Sequence, residues 1–170
     1  RGLGDVYKRQ APQRARPLRT LLLLALGVGL GWLAATVVPG PLRPSADAMV
    51  ESVPPVTVRI GAFRGSGGGV EVAPADGGAD TLLILYPGGR VRPHAYTWLG
   101  VALAPVGVRT LIPAMPLDLA VLARDRAGAL IAQQRDGERL VVVGGHSLGG
   151  AMAASWLARH PEGADALVLM

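Results

Sequence analysis

Apolar positions along the chain form one long run and six short ones. The long run covers residues 20–38, from Thr20 to Val38, and contains nineteen residues without a charge. At 1.5 Å per residue, a helix of that length spans about 28 Å, close to the roughly 30 Å apolar core of a bilayer. The pattern therefore predicts one transmembrane helix or signal anchor near the N-terminus.

The short runs are rich in valine, isoleucine and leucine and are bounded by glycine or proline, which is typical of β-strands. They cover residues 56–63, 69–73, 81–86, 108–112, 140–143 and 164–170. Helical spacing fills residues 94–104, 118–134 and 148–160, with Asp118 expected to cap the second of these helices. Strands that alternate with helices predict an α/β fold with a mostly parallel sheet and flanking helices. A glycine-rich bend joins the first two strands, which are expected to form a hairpin at the sheet edge.

The composition changes along the chain and suggests four segments. Residues 1–19 are basic, and residues 1–10 contain the only lysine and differ from the rest, so we interpret those ten as a sequencing artefact. Residues 20–38 are the predicted membrane helix, and residues 39–54 are a linker rich in proline and small polar residues. Residues 55–170 hold the predicted α/β domain.

The formal charge of +5 comes entirely from the first nineteen residues, because the remaining arginines and acids balance. A basic end before an apolar helix predicts a cytoplasmic N-terminus and a domain outside the membrane. Cleavage of a signal peptide at Ala46-Asp47-Ala48, which would release a secreted protein, is the alternative. Nucleic-acid binding is not expected, since the folded part carries no basic excess. The absence of cysteine excludes disulfides, thiolate metal sites and a cysteine nucleophile.

The candidate chemistry lies at the end of the fifth strand, where Gly145-His146-Ser147-Leu148-Gly149 separates a strand from a helix. Strand, G-x-S-x-G and helix in this order are the context of a nucleophile elbow. A serine hydroxyl is a weak nucleophile that must be held toward a base, and the tight turn that holds it leaves room only for glycine at Gly145 and Gly149. Ser147 is therefore the candidate nucleophile, and the Leu148 N–H is placed to bind a developing oxyanion.

Three motifs resemble the α/β-hydrolase superfamily. They are Y-P-G-G at residues 86–89, P-A-M-P at residues 113–116 and G-G-H-S-L-G-G-A at residues 144–151. More narrowly, residues 55–170 look like a bacterial branch of fold-5 or dienelactone-hydrolase-like proteins. The resemblance implies that the turn after the third strand supplies the second oxyanion N–H, from Gly89, or from Arg90 if the register differs by one.

The resemblance also implies a serine hydrolase that acts on a small-molecule ester, thioester or amide through an acyl-enzyme, without a metal or organic cofactor. In this superfamily the triad acid and histidine follow the serine, so His94 is not expected to be the base. His146 is expected to pack away from Ser147, and His160 suits the end of a helix. With no residue left for either role, we expect an N-terminal fragment of the fold, truncated at its C-terminus and inactive alone. The sequence leaves the oligomeric state open.

Two other interpretations remain open at this point. A non-catalytic α/β-hydrolase-like binding domain, tethered to the membrane, could keep the elbow without a triad. In a tethered domain of another kind, G-x-S-x-G could also be an ordinary glycine-rich turn. The binding domain predicts no downstream histidine in the right loop, or one without an acid partner. The ordinary turn predicts that fluorophosphonate probes leave the full-length protein unlabelled.

Overall fold

The structure, a computed structural model, describes residues 16–37, 56–63 and 67–170. The artefact interpretation of residues 1–10 and the linker prediction for residues 39–54 lie outside these ranges. The chain divides into two units after Val38.

In the first unit, helix α1 covers Arg16–Val37. The large apolar side chains described along it are exposed, with Leu21 to Leu24 each about 60% accessible. The stretch Arg19–Thr36 is long and apolar enough to cross a membrane, and a signal sequence near an N-terminus would satisfy the same test. This agrees with the predicted apolar helix and leaves the choice between an anchor and a cleaved signal open.

In the second unit, the described residues form six strands and three α-helices. In chain order these are β1 Val56–Phe63, β2 Gly67–Pro74, β3 Thr81–Tyr86, α2 Thr97–Leu103, β4 Val108–Pro113, α3 Arg126–Gln134, β5 Leu140–Gly145, α4 Leu148–Arg159 and β6 Ala166–Leu169. The strands join in one sheet in the order β1-β2-β4-β3-β5-β6.

The sheet is mixed in the way that the sequence predicts. Strands β4, β3, β5 and β6 run parallel to one another, whereas β1 pairs antiparallel with β2, and β2 antiparallel with β4. The α/β fold class and the hairpin at the sheet edge are therefore confirmed.

The core has two layers, one on each face of the sheet. Strand β3 alternates between them: Leu82, Ile84 and Tyr86 face the α3 and α4 layer, and Leu83 and Leu85 face the α2 layer. Because helices or loops cover both faces, the central strands are apolar at nearly every position. This explains why continuous apolar runs identified the strands.

The helix predicted for residues 118–134 was wrong in its first half. Helix α3 begins only at Arg126, and two short 3-10 turns, Pro116–Asp118 and Ala120–Ala123, precede it. Asp118 caps no helix: it has a left-handed backbone with φ of 54°, and its carbonyl accepts the Arg90 N–H at 2.7 Å. A contact between two loops, which local spacing does not encode, sets the conformation here.

Candidate functional site

Ser147 lies between the last residue of β5 and the first residue of α4. Its backbone has φ of 52° and ψ of −120°, a conformation that L-residues rarely adopt and that costs about 1–3 kcal/mol. Its own N–H donates to the Met170 carbonyl at 3.0 Å, and the His146 N–H donates to the Tyr86 carbonyl at 3.1 Å. Ser147 is exposed and makes no side-chain capping bond to α4, so its hydroxyl is open to solvent.

This turn requires close approach of backbone segments, which glycines allow because they lack a Cβ atom. A Cβ atom on Gly145 would lie 2.6 Å from the Gly149 carbonyl oxygen, well inside van der Waals contact. A Cβ on Gly149 would overlap the carbonyls of Tyr86 and Pro87. Gly150 is crowded as well, since its Cβ would lie 2.8 Å from the Gly145 carbonyl oxygen. Gly150 was not predicted as a residue of the elbow, although its place beside Gly149 at the start of α4 was a signal.

Two backbone N–H groups beside Ser147 have no hydrogen-bond acceptor among the described residues. One belongs to Leu148, the first residue of α4, and the other to Gly89, in the turn after β3. The two residues are neighbours, because a Cβ on Gly89 would lie 3.3 Å from Leu148 Cδ2 and 3.7 Å from Leu148 Cβ. Two unsatisfied donors next to an exposed serine are the arrangement that an oxyanion requires.

The neighbouring amides of the same turn are already engaged. The Arg90 N–H donates to the Asp118 carbonyl at 2.7 Å, and the Gly88 N–H donates to the Tyr96 hydroxyl at 2.9 Å. Of the two donors that the sequence left open, Gly89 therefore keeps its N–H available and Arg90 does not.

No described histidine ring is hydrogen-bonded to Ser147. His94 lies in the 3-10 turn before α2, and His146 Nδ1 lies 3.0 Å from the Tyr96 hydroxyl. His160 stacks on Trp156 with ring centroids 5.0 Å apart. It lies at the far end of α4, about 20 Å from Ser147 at 1.5 Å per residue. His146 and His160 are therefore engaged with groups other than Ser147.

The loop after β4 forms the rim of the site. Leu119 Cδ2 would lie 4.0 Å from a Cβ on Gly89, and Leu117 and Leu122 are each more than half exposed. Arg92 reaches the carboxylate of Asp118 with an Nε–Oδ2 distance of 3.8 Å. The rim therefore brings the apolar side chain of Leu119 close to Gly89, with the Arg92–Asp118 ion pair in the same region.

A buried ion network lies away from this site, toward the amino ends of the parallel strands. Arg109 donates from Nε to Glu71 at 2.7 Å and from Nη1 to Glu138 at 2.9 Å. Burial opposes the charge of Glu138, but hydrogen bonds from the Asp136 N–H and from Arg109 outweigh it and lower the pKa of Glu138 below its ordinary value. The network joins β2, β4 and the loop after α3. No group of three or more metal-ligating side chains is found in the described ranges.

Comparison with known families agrees with this fold. A family model described as the alpha/beta hydrolase family matches residues 82–170, more than half of the chain. The chain therefore belongs to the α/β hydrolase family.

Among solved structures, 70 chains match this one. One is an inhibited esterase B from Lactobacillus rhamnosis, which is 14% identical and has a TM-score of 0.48. The match covers 80% of this chain and 48% of that one, so this chain spans about half the length of the esterase. No curated protein sequence matches the chain.

Proposed function

We propose that this hydrolase cleaves an ester, thioester or amide bond through an acyl-enzyme formed on Ser147. The observation that carries the proposal is an exposed serine in a strained turn, beside two N–H groups that have no acceptor among the described residues. Strain of this kind persists only where the surrounding structure enforces it, and it is concentrated at functional sites.

The reaction follows from these positions. Ser147 Oγ attacks the carbonyl carbon of the substrate and loses its proton to a general base. The carbonyl oxygen becomes negative and accepts hydrogen bonds from the Leu148 and Gly89 N–H groups. Collapse of the tetrahedral intermediate expels the alcohol, thiol or amine, which takes the proton, and water then releases the acyl group from Ser147.

The base and its acid partner are proposed to come from outside the described residues. His146 is engaged with Tyr96 and His160 with Trp156. His94 precedes Ser147 in the chain, whereas the triad histidine of α/β-hydrolases follows the serine. A neutral serine without a base reacts slowly, so full activity is expected of the complete triad only.

We also propose that α1 anchors the hydrolase to a membrane, with the basic N-terminal end in the cytoplasm and the hydrolase domain outside. Support comes from the Arg19–Thr36 stretch, whose length and composition suit a membrane span. Extraction of membranes with alkaline carbonate should leave the full-length protein in the pellet. Release into the supernatant, together with a mass that lacks residues 1–48, would instead indicate a cleaved signal peptide and a secreted enzyme.

The direct test of catalysis is covalent labelling of the full-length protein with a fluorophosphonate probe. Ser155, exposed on the same helix α4, provides the matched control. We expect the wild type and Ser155→Ala to be labelled and Ser147→Ala to be unlabelled. An unlabelled wild type, or label that survives in Ser147→Ala, would contradict the proposal, and the first result would favour a non-catalytic binding domain.

A further inference from the structure

One hydrogen-bonded chain connects the candidate oxyanion turn to the residue that precedes Ser147. The Gly88 N–H donates to the Tyr96 hydroxyl at 2.9 Å in a buried position, and the hydroxyl oxygen lies 3.0 Å from His146 Nδ1. Tyr96 is only 7% exposed. Its hydroxyl therefore connects the turn after β3 to the elbow after β5.

The chain has a direction. A tyrosine hydroxyl that accepts a hydrogen bond from the Gly88 N–H still has one proton to donate, and the nearest acceptor is His146 Nδ1. Donors and acceptors in such a series polarise one another, which strengthens each bond.

The packing around Gly88 is equally tight. A Cβ atom on Gly88 would lie 2.8 Å from His146 Nδ1 and 3.1 Å from the Tyr96 hydroxyl oxygen. The turn is fixed on its other side by the Arg90 N–H, which donates to the Asp118 carbonyl at 2.7 Å. The Gly89 N–H lies between these two fixed amides and is the one left without an acceptor among the described residues.

We propose that Tyr96 and His146 are positioning residues that hold the Gly89 N–H at the correct separation from the Leu148 N–H. His146 is the direct chain neighbour of Ser147, so its bond to Tyr96 sets the distance between the elbow and the turn. This inference rests on the proposed function, because it assigns a role within the same oxyanion site. Neither residue touches the substrate in this role.

The consequence for catalysis is specific to the transition state. Negative charge on the substrate oxygen develops only as Ser147 attacks. Displacement of the Gly89 N–H therefore reduces the stabilisation of the transition state more than that of the bound ester. A displacement of about 1 Å can reduce rate by as much as 100-fold. We therefore expect a loss in kcat with KM little changed.

The experiment compares four variants of the full-length enzyme, with a p-nitrophenyl ester as substrate and a trifluoromethyl ketone as an oxyanion-forming inhibitor. Tyr96→Phe removes both hydrogen bonds but keeps the ring, and His146→Leu removes the acceptor. His146→Asn keeps an acceptor oxygen close to the position of Nδ1. His94→Leu controls for loss of a histidine whose ring has no hydrogen-bond partner among the described residues.

We expect Tyr96→Phe and His146→Leu to lower kcat about 10-fold or more and to reduce the affinity for the trifluoromethyl ketone by a similar factor. KM should stay within about twofold of the wild-type value. His146→Asn should recover most of the activity, and His94→Leu should match the wild type. His146 is exposed at the surface, so its variants are expected to fold, and the thermal midpoint checks this.

Equal activity in the wild type, Tyr96→Phe and His146→Leu would overturn the inference. A raised KM with unchanged kcat, or failure of His146→Asn to recover activity, would overturn it as well. These results differ from failure of the proposed function. In that case the wild type itself would neither turn over the ester nor react with the fluorophosphonate.

Discussion

The Tyr86 hydroxyl accepts the Ala127 N–H at 2.6 Å. The same hydroxyl donates to the Arg124 carbonyl at 2.9 Å. Ala127 is the second residue of α3, so Tyr86 satisfies one of the N–H groups that every helix leaves unpaired at its start. Tyr86 also ends β3 and begins the turn that carries Gly89. One side chain thus couples the start of α3 to the candidate oxyanion turn.

The Tyr86→Phe substitution tests this connection. It should lower the free energy of unfolding by about 1–3 kcal/mol, because the buried Ala127 N–H and the Arg124 carbonyl both lose their partner. Urea denaturation of the full-length protein measures the difference. Trp98→Phe, at an exposed ring on α2, serves as a control for loss of aromatic surface. A loss for Tyr86→Phe no larger than for the control would show that the hydroxyl contributes little.

The ion network around Arg109 predicts a stability that depends on pH. The Glu138→Gln substitution should lower the free energy of unfolding by about 3 kcal/mol near neutral pH, because it leaves the Arg109 guanidinium, whose side chain is only 15% exposed, with one neutral partner. Glu162→Gln, at an exposed turn, should be close to neutral.

The sign of the pH dependence follows from the lowered pKa of Glu138. The stabilisation is complete above the ordinary glutamate value of 4.5 and is lost as the pH falls through the lower folded value. The gap between wild type and Glu138→Gln should therefore narrow below pH 4.5, as measured by urea denaturation at several pH values. A gap that stays constant at acidic pH would argue against an ionised Glu138 in the network.

The positions of most strands and of the elbow could be predicted from the sequence because their causes are local. Strand β3 is a continuous apolar run followed by proline and glycine, and β5 is an apolar run that ends in glycine. The pairing of Gly145 and Gly149 could also be predicted, since a strand that turns directly into a helix leaves no room for side chains.

The remaining features depend on contacts between distant parts of the chain. Asp118 adopts its left-handed backbone where its carbonyl meets the Arg90 N–H, and the helical spacing of the following residues gave no sign of this. Tyr96 meets His146 across fifty residues of sequence. A tyrosine at the start of a helix is most often a core residue, so its role at the turn had no signal in the sequence.

The backbone strain at Ser147 can be measured by comparing two variants that both lack the hydroxyl. Glycine adopts φ of 52° and ψ of −120° without a steric penalty, whereas alanine keeps the strain that serine bears. We expect Ser147→Gly to be more stable than Ser147→Ala by about 1 kcal/mol, after the greater freedom of glycine in the unfolded chain is allowed for. Thermal and urea denaturation provide the values. If the alanine variant were the more stable, the strain at Ser147 would be negligible.

The close approach of α4 to β3 can be tested by comparing two glycine-to-alanine substitutions. A Cβ on Gly149 would overlap the carbonyls of Tyr86 and Pro87 and would lie 2.7 Å from the Tyr86 carbonyl carbon. Because backbone atoms on both sides must move, Gly149→Ala should lower the free energy of unfolding by about 3 kcal/mol or more. It should also abolish fluorophosphonate labelling, since the turn that carries Gly89 is displaced with those carbonyls.

Gly128 provides the matched control within α3. A Cβ there would lie 3.6 Å from the Trp156 ring, an ordinary contact distance, and alanine in a helix interior is favoured over glycine by about 1 kcal/mol. Gly128→Ala should therefore raise the free energy of unfolding slightly and leave labelling intact. Suppose that Gly149→Ala proved as stable as Gly128→Ala and was still labelled. The elbow would then tolerate a Cβ atom at position 149, which would contradict the proposal that the oxyanion site depends on a rigid turn.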